Sequence, residues 1–266
     1  MFMDFIDQLG TEKMKYKDLA EQIKLRTGGF SVGSVVRTPT DGKGTPTMSL
    51  SISGHALERN VDAMFDILTD LQTAKWRGEE ERVKLLLTRR AAALGASVGQ
   101  QGMQYARNLA GAQISATSAL SNETSGLPHV GLVSRLSKEG AIDEVETAMA
   151  EIAAFALRPE RVQRCRIACQ KESFSATERR FAKFLKDIKP VAASPSDKDT
   201  VATKLKTFKP ELSKVFVSIP GQTNYCSAAL PALPYSHPDA PALFLLAQAL
   251  SAVSYTHLTL PTKRIV

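Results

Sequence analysis

Residues 27–54 read TGGFSVGSVVRTPTDGKGTPTMSLSISG, a stretch in which two β-rich runs follow a helix stop. Thr27-Gly28-Gly29 is typical of a helix end, and the first β-rich run, which holds Phe30, Val32, Val35 and Val36, ends at Pro39. Asp41 to Gly44 has the composition of a turn. From Met48 to Ile52 apolar residues alternate with serines, which is the period of a strand with one buried face. The stretch therefore predicts an antiparallel β-hairpin.

Helices are predicted on both sides of this hairpin, because apolar residues recur there at intervals of three and four. The predicted helices are Phe2–Leu9, Tyr16–Leu25, Asn60–Leu71, Glu79–Ala96, Met103–Ala119, Leu132–Lys138, Asp143–Phe155 and Phe174–Ile188. A further strand is predicted at Val162–Ala168. A sheet packed by several helices is the pattern of an α+β fold.

The composition changes after residue 188. Residues 189–210 hold three prolines with serines, aspartates and lysines, and few large apolar residues, as is typical of an exposed linker. Beyond it, strands are predicted at Val215–Ile219 and Tyr225–Leu230, and a helix at Pro241–Ala252. Two strands and one helix cannot close a core, so we expect residues 211–252 to be the truncated start of a second αβ domain after a first domain at 1–188.

Composition and charge exclude several classes of protein. The chain has 266 residues, of which 43% are apolar, and a formal charge of +7. Its longest apolar run, at 240–252, is shorter than the ~20 residues needed to cross a bilayer, so no membrane span is predicted. The basic residues are scattered and aromatic residues are only 6%, so nucleic-acid binding is not expected. Residues 1–10 match neither a secretory signal nor a transit peptide.

Several short sequence motifs, called words below, occur in the order and approximate spacing that a known family shows. They are Leu9-Gly10-Thr11, Tyr16-x-x-Leu19-Ala20-x-x-Ile23, Thr27-Gly28-Gly29, Leu57-x-Arg59-Asn60, Ile219-Pro220 with Asn224-Tyr225, and Pro234-Tyr235-x-x-Pro238-Asp239. Together with the order of predicted elements, they make the chain resemble the presequence-protease family of pitrilysin-type zinc metallopeptidases, which are related to falcilysin and insulysin. The resemblance covers residues 1 to about 252.

The resemblance implies a particular place in a larger enzyme. In that family four αβ domains form two halves that close over an unfolded peptide, and zinc belongs to the first half. This chain would be the third domain, lacking an N-terminal strand, and the start of the fourth. It would contribute chamber wall and contacts between the halves, and would be inactive without the missing N-terminal half. A Gly-Gly-Ala-Tyr word expected after the last helix does not occur, and residues 253–266 are predicted to be a non-native tail.

The family's inverted zinc motif, His-x-x-Glu-His, is not present in the sequence. The nearest approach is His55-Ala56-Leu57-Glu58-Arg59, in which an arginine, which cannot bind a metal, stands at the second histidine position. Because the segment joins a strand to a helix, we expect Glu58 to favour the helix N-terminus. We predict no metal, cofactor or catalytic residues in this chain, with zinc bound only in the intact parent.

Other candidate residues have structural interpretations. His129, His237 and His257 lack partners at helical spacing and are predicted to be surface or loop histidines. Cys165 and Cys169 differ from the usual redox spacing and are predicted to be buried or bystander thiols. All three cysteines, including Cys226, are predicted to be free thiols of a reducing compartment. Gly28-Gly29 is predicted to be a helix stop and strand entry and not a phosphate cradle, because no helix N-terminus follows closely.

Two functions remain open. The first is part of a zinc endopeptidase that degrades short unstructured peptides, such as cleaved targeting presequences, in mitochondria or plastids. The second is a non-catalytic scaffold of the same superfamily, like a respiratory-complex core protein or an inactive processing-peptidase subunit. A zinc motif upstream of this chain would discriminate between them.

Overall fold

The computed structural model describes residues 1–38, 46–74, 77–157, 165–187, 208–211, 213–219 and 223–253. The elements are α1 (Phe2–Phe5), α2 (Tyr16–Arg26), β1 (Phe30–Arg37), β2 (Thr47–Gly54), α3 (Val61–Leu71), α4 (Glu80–Gln100), α5 (Gly102–Ala112), α6 (Ala116–Ser125), α7 (Leu127–Glu139), α8 (Ile142–Ala156), α9 (Phe174–Asp187) and α10 (Ala240–Val253). A 3₁₀ turn at Glu58–Asn60 precedes α3. This combination of helices with an antiparallel sheet confirms the predicted α+β class.

The two strands pair in the predicted antiparallel hairpin, from Phe30 opposite Gly54 to Arg37 opposite Thr47. Residues directly opposite each other share a face of the sheet. The face that carries Val32 and Leu50 packs against the main core. The predicted turn at 41–44 lies outside the described residues.

The main core lies between α1, α4, α7 and α8. Its members recur at helical spacing, which places them on one face of each helix. They include Phe5, Ile6, Leu9, Val83, Leu86, Leu87, Val133, Leu136, Val145 and Met149. A smaller cluster of Leu19, Ile67 and Leu71 joins α2 to α3. Both clusters lie before residue 158, so the hydrophobic cores of the described structure belong to the first predicted domain.

A separate contact holds α9 against α3. The Phe65 ring of α3 lies 5.5 Å from the Phe184 ring of α9, centroid to centroid. The Arg180 guanidinium lies over the Phe65 ring, and its Nε is 3.2 Å from an Asp62 carboxylate oxygen. The arrangement combines an aromatic cluster with a cation–π contact and an ion pair.

One predicted helix is divided in the structure. Met103–Ala119 was expected to be continuous, but α5 ends at Ala112 and α6 begins at Ala116. Ser115 has extended backbone angles and caps α6, its side chain accepting a hydrogen bond from the Ser118 amide. The apolar periodicity continues through the break, so the prediction was wrong because periodicity alone does not report a cap.

The strands predicted beyond the linker are also wrong. Residues 213–219 and 223–234 are coil in the structure, as is the described part, 165–168, of the strand predicted at 162–168. A strand requires a hydrogen-bonded neighbour, and the sheet of the described residues pairs only β1 with β2, so these segments have no partner strand there. The helix predicted at 241–252 is α10. Within the described ranges, no helix is both long and apolar enough to cross a membrane.

Candidate functional site

The His55 segment is placed at the junction that its sequence predicts. His55 follows β2 directly, and Glu58 opens the 3₁₀ turn before α3. The His55 carbonyl accepts a hydrogen bond from the Gly28 amide at 2.8 Å. A Cβ atom on Gly28 would lie within 3.0 Å of the His55 ring. His55 therefore packs against the entry to β1.

The Thr27-Gly28-Gly29 word ends α2 and starts β1, as predicted. The Thr27 hydroxyl donates to the Ile23 carbonyl at 2.7 Å and accepts from the Gly29 amide at 3.0 Å. Gly29 has a φ of +110°, a conformation that favours glycine. The segment therefore redirects the backbone between helix and strand.

The Leu9-Gly10-Thr11 word is held by a residue far away in the sequence. Both carboxylate oxygens of Glu79 accept from the Gly10 amide, at 3.1 and 3.2 Å. A Cβ atom on Gly10 would collide with this carboxylate. Thr11 is fully buried, and its hydroxyl accepts from the Met14 amide. The glycine therefore lets a charge-assisted hydrogen bond tie the turn after α1 to the start of α4.

A polar pocket of about 320 Å³ lies where α1, β1, α4, α6 and α7 meet. Arg90 and Asp4 form an ion pair across it, with Nε 3.0 Å from the carboxylate. The hydroxyls of Thr124 and Ser125 donate to carbonyls of their own helix. This polar pocket is therefore a hydrogen-bonding cavity in which the Asp4 carboxylate faces two positive groups, the Arg90 guanidinium and the Met1 ammonium.

His129 lines the polar pocket, and its predicted surface position was wrong. Its side chain is 9% exposed on the inner face of α7. Burial lowers the pKa of His129 to about 4, and the positive charges of the Met1 ammonium and Arg90 lower the pKa further, while Asp4 opposes them. The imidazole is therefore neutral at pH 7. Sequence spacing did not reveal this because the pocket joins residues from five elements.

The remaining histidine and cysteine predictions have mixed outcomes. His237 lies in the turn before α10, where its Nδ1 accepts from the Asp239 amide at 3.1 Å. His257 lies outside the described residues. Cys165, Cys169 and Cys226 are free and exposed thiols, so the buried alternative for Cys165 and Cys169 was wrong. A thiol stays in water where the surrounding coil offers it no core.

The described residues do not fit a catalytic zinc site. No three His, Cys, Asp or Glu side chains in the described part of the chain lie close enough together to hold a metal ion. His55 has Arg59 where a second imidazole would be needed. Zinc requires three or four such donors around one point.

The outer face of the hairpin is a serine face, formed by Ser31, Gly33, Val35, Arg37, Thr47, Ser49, Ser51 and Ser53. Its four serines are exposed. Small hydroxyl side chains leave a flat surface with donors and acceptors and with Arg37 as its one charged residue. The alternation that predicted the strand also placed these serines together on one face.

The fold, the hairpin and the short words together define a class of protein. The family model for the region associated with peptidases of family M16, subfamily C, matches residues 1–136, just over half of the chain. The chain therefore belongs to this family, and the predicted resemblance is confirmed. The match includes both strands and most of α7.

Curated relatives extend the similarity to nearly the whole chain. The mitochondrial presequence protease of Danio rerio is 24% identical over 269 residues, covering 95% of this chain and 26% of the relative. The mitochondrial presequence protease of Yarrowia lipolytica is 27% identical over 254 residues, covering 94% of this chain and 25% of the relative. That of Emericella nidulans is 28% identical over 268 residues, covering 97% of this chain and 25% of the relative. The chain spans about a quarter of the length of these relatives.

Proposed function

We propose that this chain is part of a zinc metalloendopeptidase of the presequence-protease type. The parent would degrade short unstructured peptides, such as cleaved targeting presequences, inside mitochondria. The observation that carries the proposal is the similarity to mitochondrial presequence proteases over 94% or more of the chain, including the region beyond the family model.

Within such a parent, this chain would form part of the wall around the peptide and contact the zinc-binding half. The serine face supports this role, because exposed hydroxyls can hydrogen-bond to an extended backbone without selecting a side-chain sequence. The donor set of the described residues supports a non-catalytic role, since it does not fit zinc. Zinc would be held by residues of the parent outside this chain.

The experiment compares the purified chain with the product of its complete gene, using an unstructured fluorogenic peptide with and without a zinc chelator. We expect chelator-sensitive cleavage by the complete product and none by this chain alone. An inactive complete product without an inverted zinc motif would contradict the peptidase and support a scaffold subunit. Metal-dependent cleavage by this chain alone would contradict its non-catalytic role.

A further inference from the structure

The segment that follows residue 208 contacts the helical body at both ends of α5. At the C-terminal end, the Gln113 side-chain oxygen accepts from the Ser213 amide at 2.7 Å, and the Gln113 carbonyl accepts from the Glu211 amide at 3.0 Å. Phe208 and Val215 lie beside Leu109 around a shallow groove at the same end. These contacts anchor the start of the segment.

At the N-terminal end of α5, Tyr225 sits on a glycine. Its ring covers Gly102, where a Cβ atom would lie within 3.0 Å of the ring carbons. Its hydroxyl donates to the Gly99 carbonyl at 3.2 Å, near the end of α4. The bend between the two helices is braced from inside by the Tyr105 hydroxyl, 2.7 Å from the Ser97 hydroxyl. Gly102 therefore forms a socket for the Tyr225 ring at the bend between α4 and α5.

The chain between these two anchors can span more than the distance that separates them. The helical rise from Gly102 to Gln113 is about 16 Å, whereas the residues from Ser213 to Tyr225 could span up to about 40 Å. Phe216, which lies between the two anchors, is 91% exposed. Because the chain between the anchors can span more than the distance that separates them, opening one anchor does not pull on the other.

We infer that Tyr225 in the Gly102 socket is a pivot, a built-in conformational device that positions the segment carrying α10. Past Tyr225 the chain is coil up to the turn before α10, and Phe244 and Leu245 on that helix are exposed. The socket is thus the last point at which the helical body holds this segment among the contacts described. Opening it frees residues 223–253 to reorient while the Gln113 anchor stays closed.

The test substitutes Gly102, so that a side chain occupies the socket, and measures the mobility of a spin label on Cys226, next to Tyr225. A nitroxide label is attached to the exposed Cys226 in a Cys165→Ser, Cys169→Ser background, both of these thiols being exposed as well. Gly102→Ala places a methyl group against the Tyr225 ring, and we expect the mobile fraction of the label to rise at least about twofold. Gly95→Ala is the matched control, because Gly95 is also helical and has open space around its Cα.

Hydrogen exchange of the Ser213 amide distinguishes opening of the Tyr225 contact alone from loosening of both anchors. We expect exchange of this amide in Gly102→Ala to stay within about twofold of the unaltered chain. Tyr225→Ala should reproduce the label mobility without changing any helix, and Tyr235→Ala should not, since Tyr235 is 84% exposed. An unchanged label in both Gly102→Ala and Tyr225→Ala overturns the pivot. Equal loosening at Ser213 overturns it too, because the anchors would then move together.

Discussion

At the residue scale, the burial of His129 makes stability depend on pH. Its pKa of about 4 in the folded chain is below the 6.5 of an unperturbed imidazole, so the unfolded chain binds the proton more tightly. This contribution to stability is fully present above about pH 6.5 and is lost as the pH falls towards 4. The difference of two and a half pKa units corresponds to at most about 3.4 kcal/mol.

Urea unfolding at several pH values measures this effect. Burial raises the pKa values of Asp7 and Glu146, which work in the opposite direction, so the comparison must be made between variants. We expect His129→Gln to flatten the loss of stability between pH 6.5 and 4. An identical pH profile for His129→Gln and the unaltered chain would contradict the buried neutral imidazole.

Gly10 is a second residue at which the structure makes a sharp prediction. Gly10→Ala should displace the Glu79 carboxylate and lose its hydrogen bond to the Gly10 amide, lowering the free energy of unfolding by about 1.5–3 kcal/mol. Gly33→Ala is the control, because a Cβ atom at Gly33 meets open space. Chemical denaturation measures both, and a loss in Gly33→Ala equal to that in Gly10→Ala would refute the proposed contact.

At the scale of elements, Arg180 is expected to determine whether α9 stays on α3. Its side chain is 11% exposed and contacts Phe65 and two carboxylates, whereas those carboxylates, of Asp62 and Asp66, are largely in water. Arg180→Ala should therefore cost about 1–3 kcal/mol through lost packing and ion pairing. In Arg180→Ala, hydrogen exchange should show this loss as a larger increase in amide exchange in α9 than in α4.

Lys183 provides the matched control for this prediction, since it is exposed on the same helix. Lys183→Ala removes a charge of the same sign without touching α3, and exchange in α9 should be unchanged. Equal protection of α9 in both variants would mean that the phenylalanine cluster alone holds the two helices together.

At the scale of the whole molecule, the core clusters and the most exposed large apolar side chains of the described residues lie in different parts of the chain. Both cores lie before residue 158, while Phe216, Leu230 and Leu245 are 91%, 82% and 69% exposed. We expect a chain of residues 1–187 to retain cooperative thermal unfolding and to associate less in size-exclusion chromatography. Loss of cooperative unfolding in this shortened chain would contradict a first domain ending at residue 188.

The sequence alone identified the hairpin, most helices, the Thr27-Gly28-Gly29 stop and the family, because each depends on neighbouring residues. Period-two and period-3.6 patterns follow directly from backbone geometry. The sequence also showed that the inverted zinc motif does not occur in this chain, because that motif is local. The sequence did not predict the break between α5 and α6 at Ser115, because a capping residue leaves the period of apolar residues unchanged.

Only the tertiary structure determined the contacts between distant residues. Glu79 reaches Gly10 across 69 positions, Arg180 reaches the Asp66 carboxylate across 114, and Tyr225 reaches Gly99 across 126. His129 is buried by several elements that converge on one cavity. No local pattern records such partners, because their proximity comes from the packing of whole helices and not from the spacing of residues along one of them.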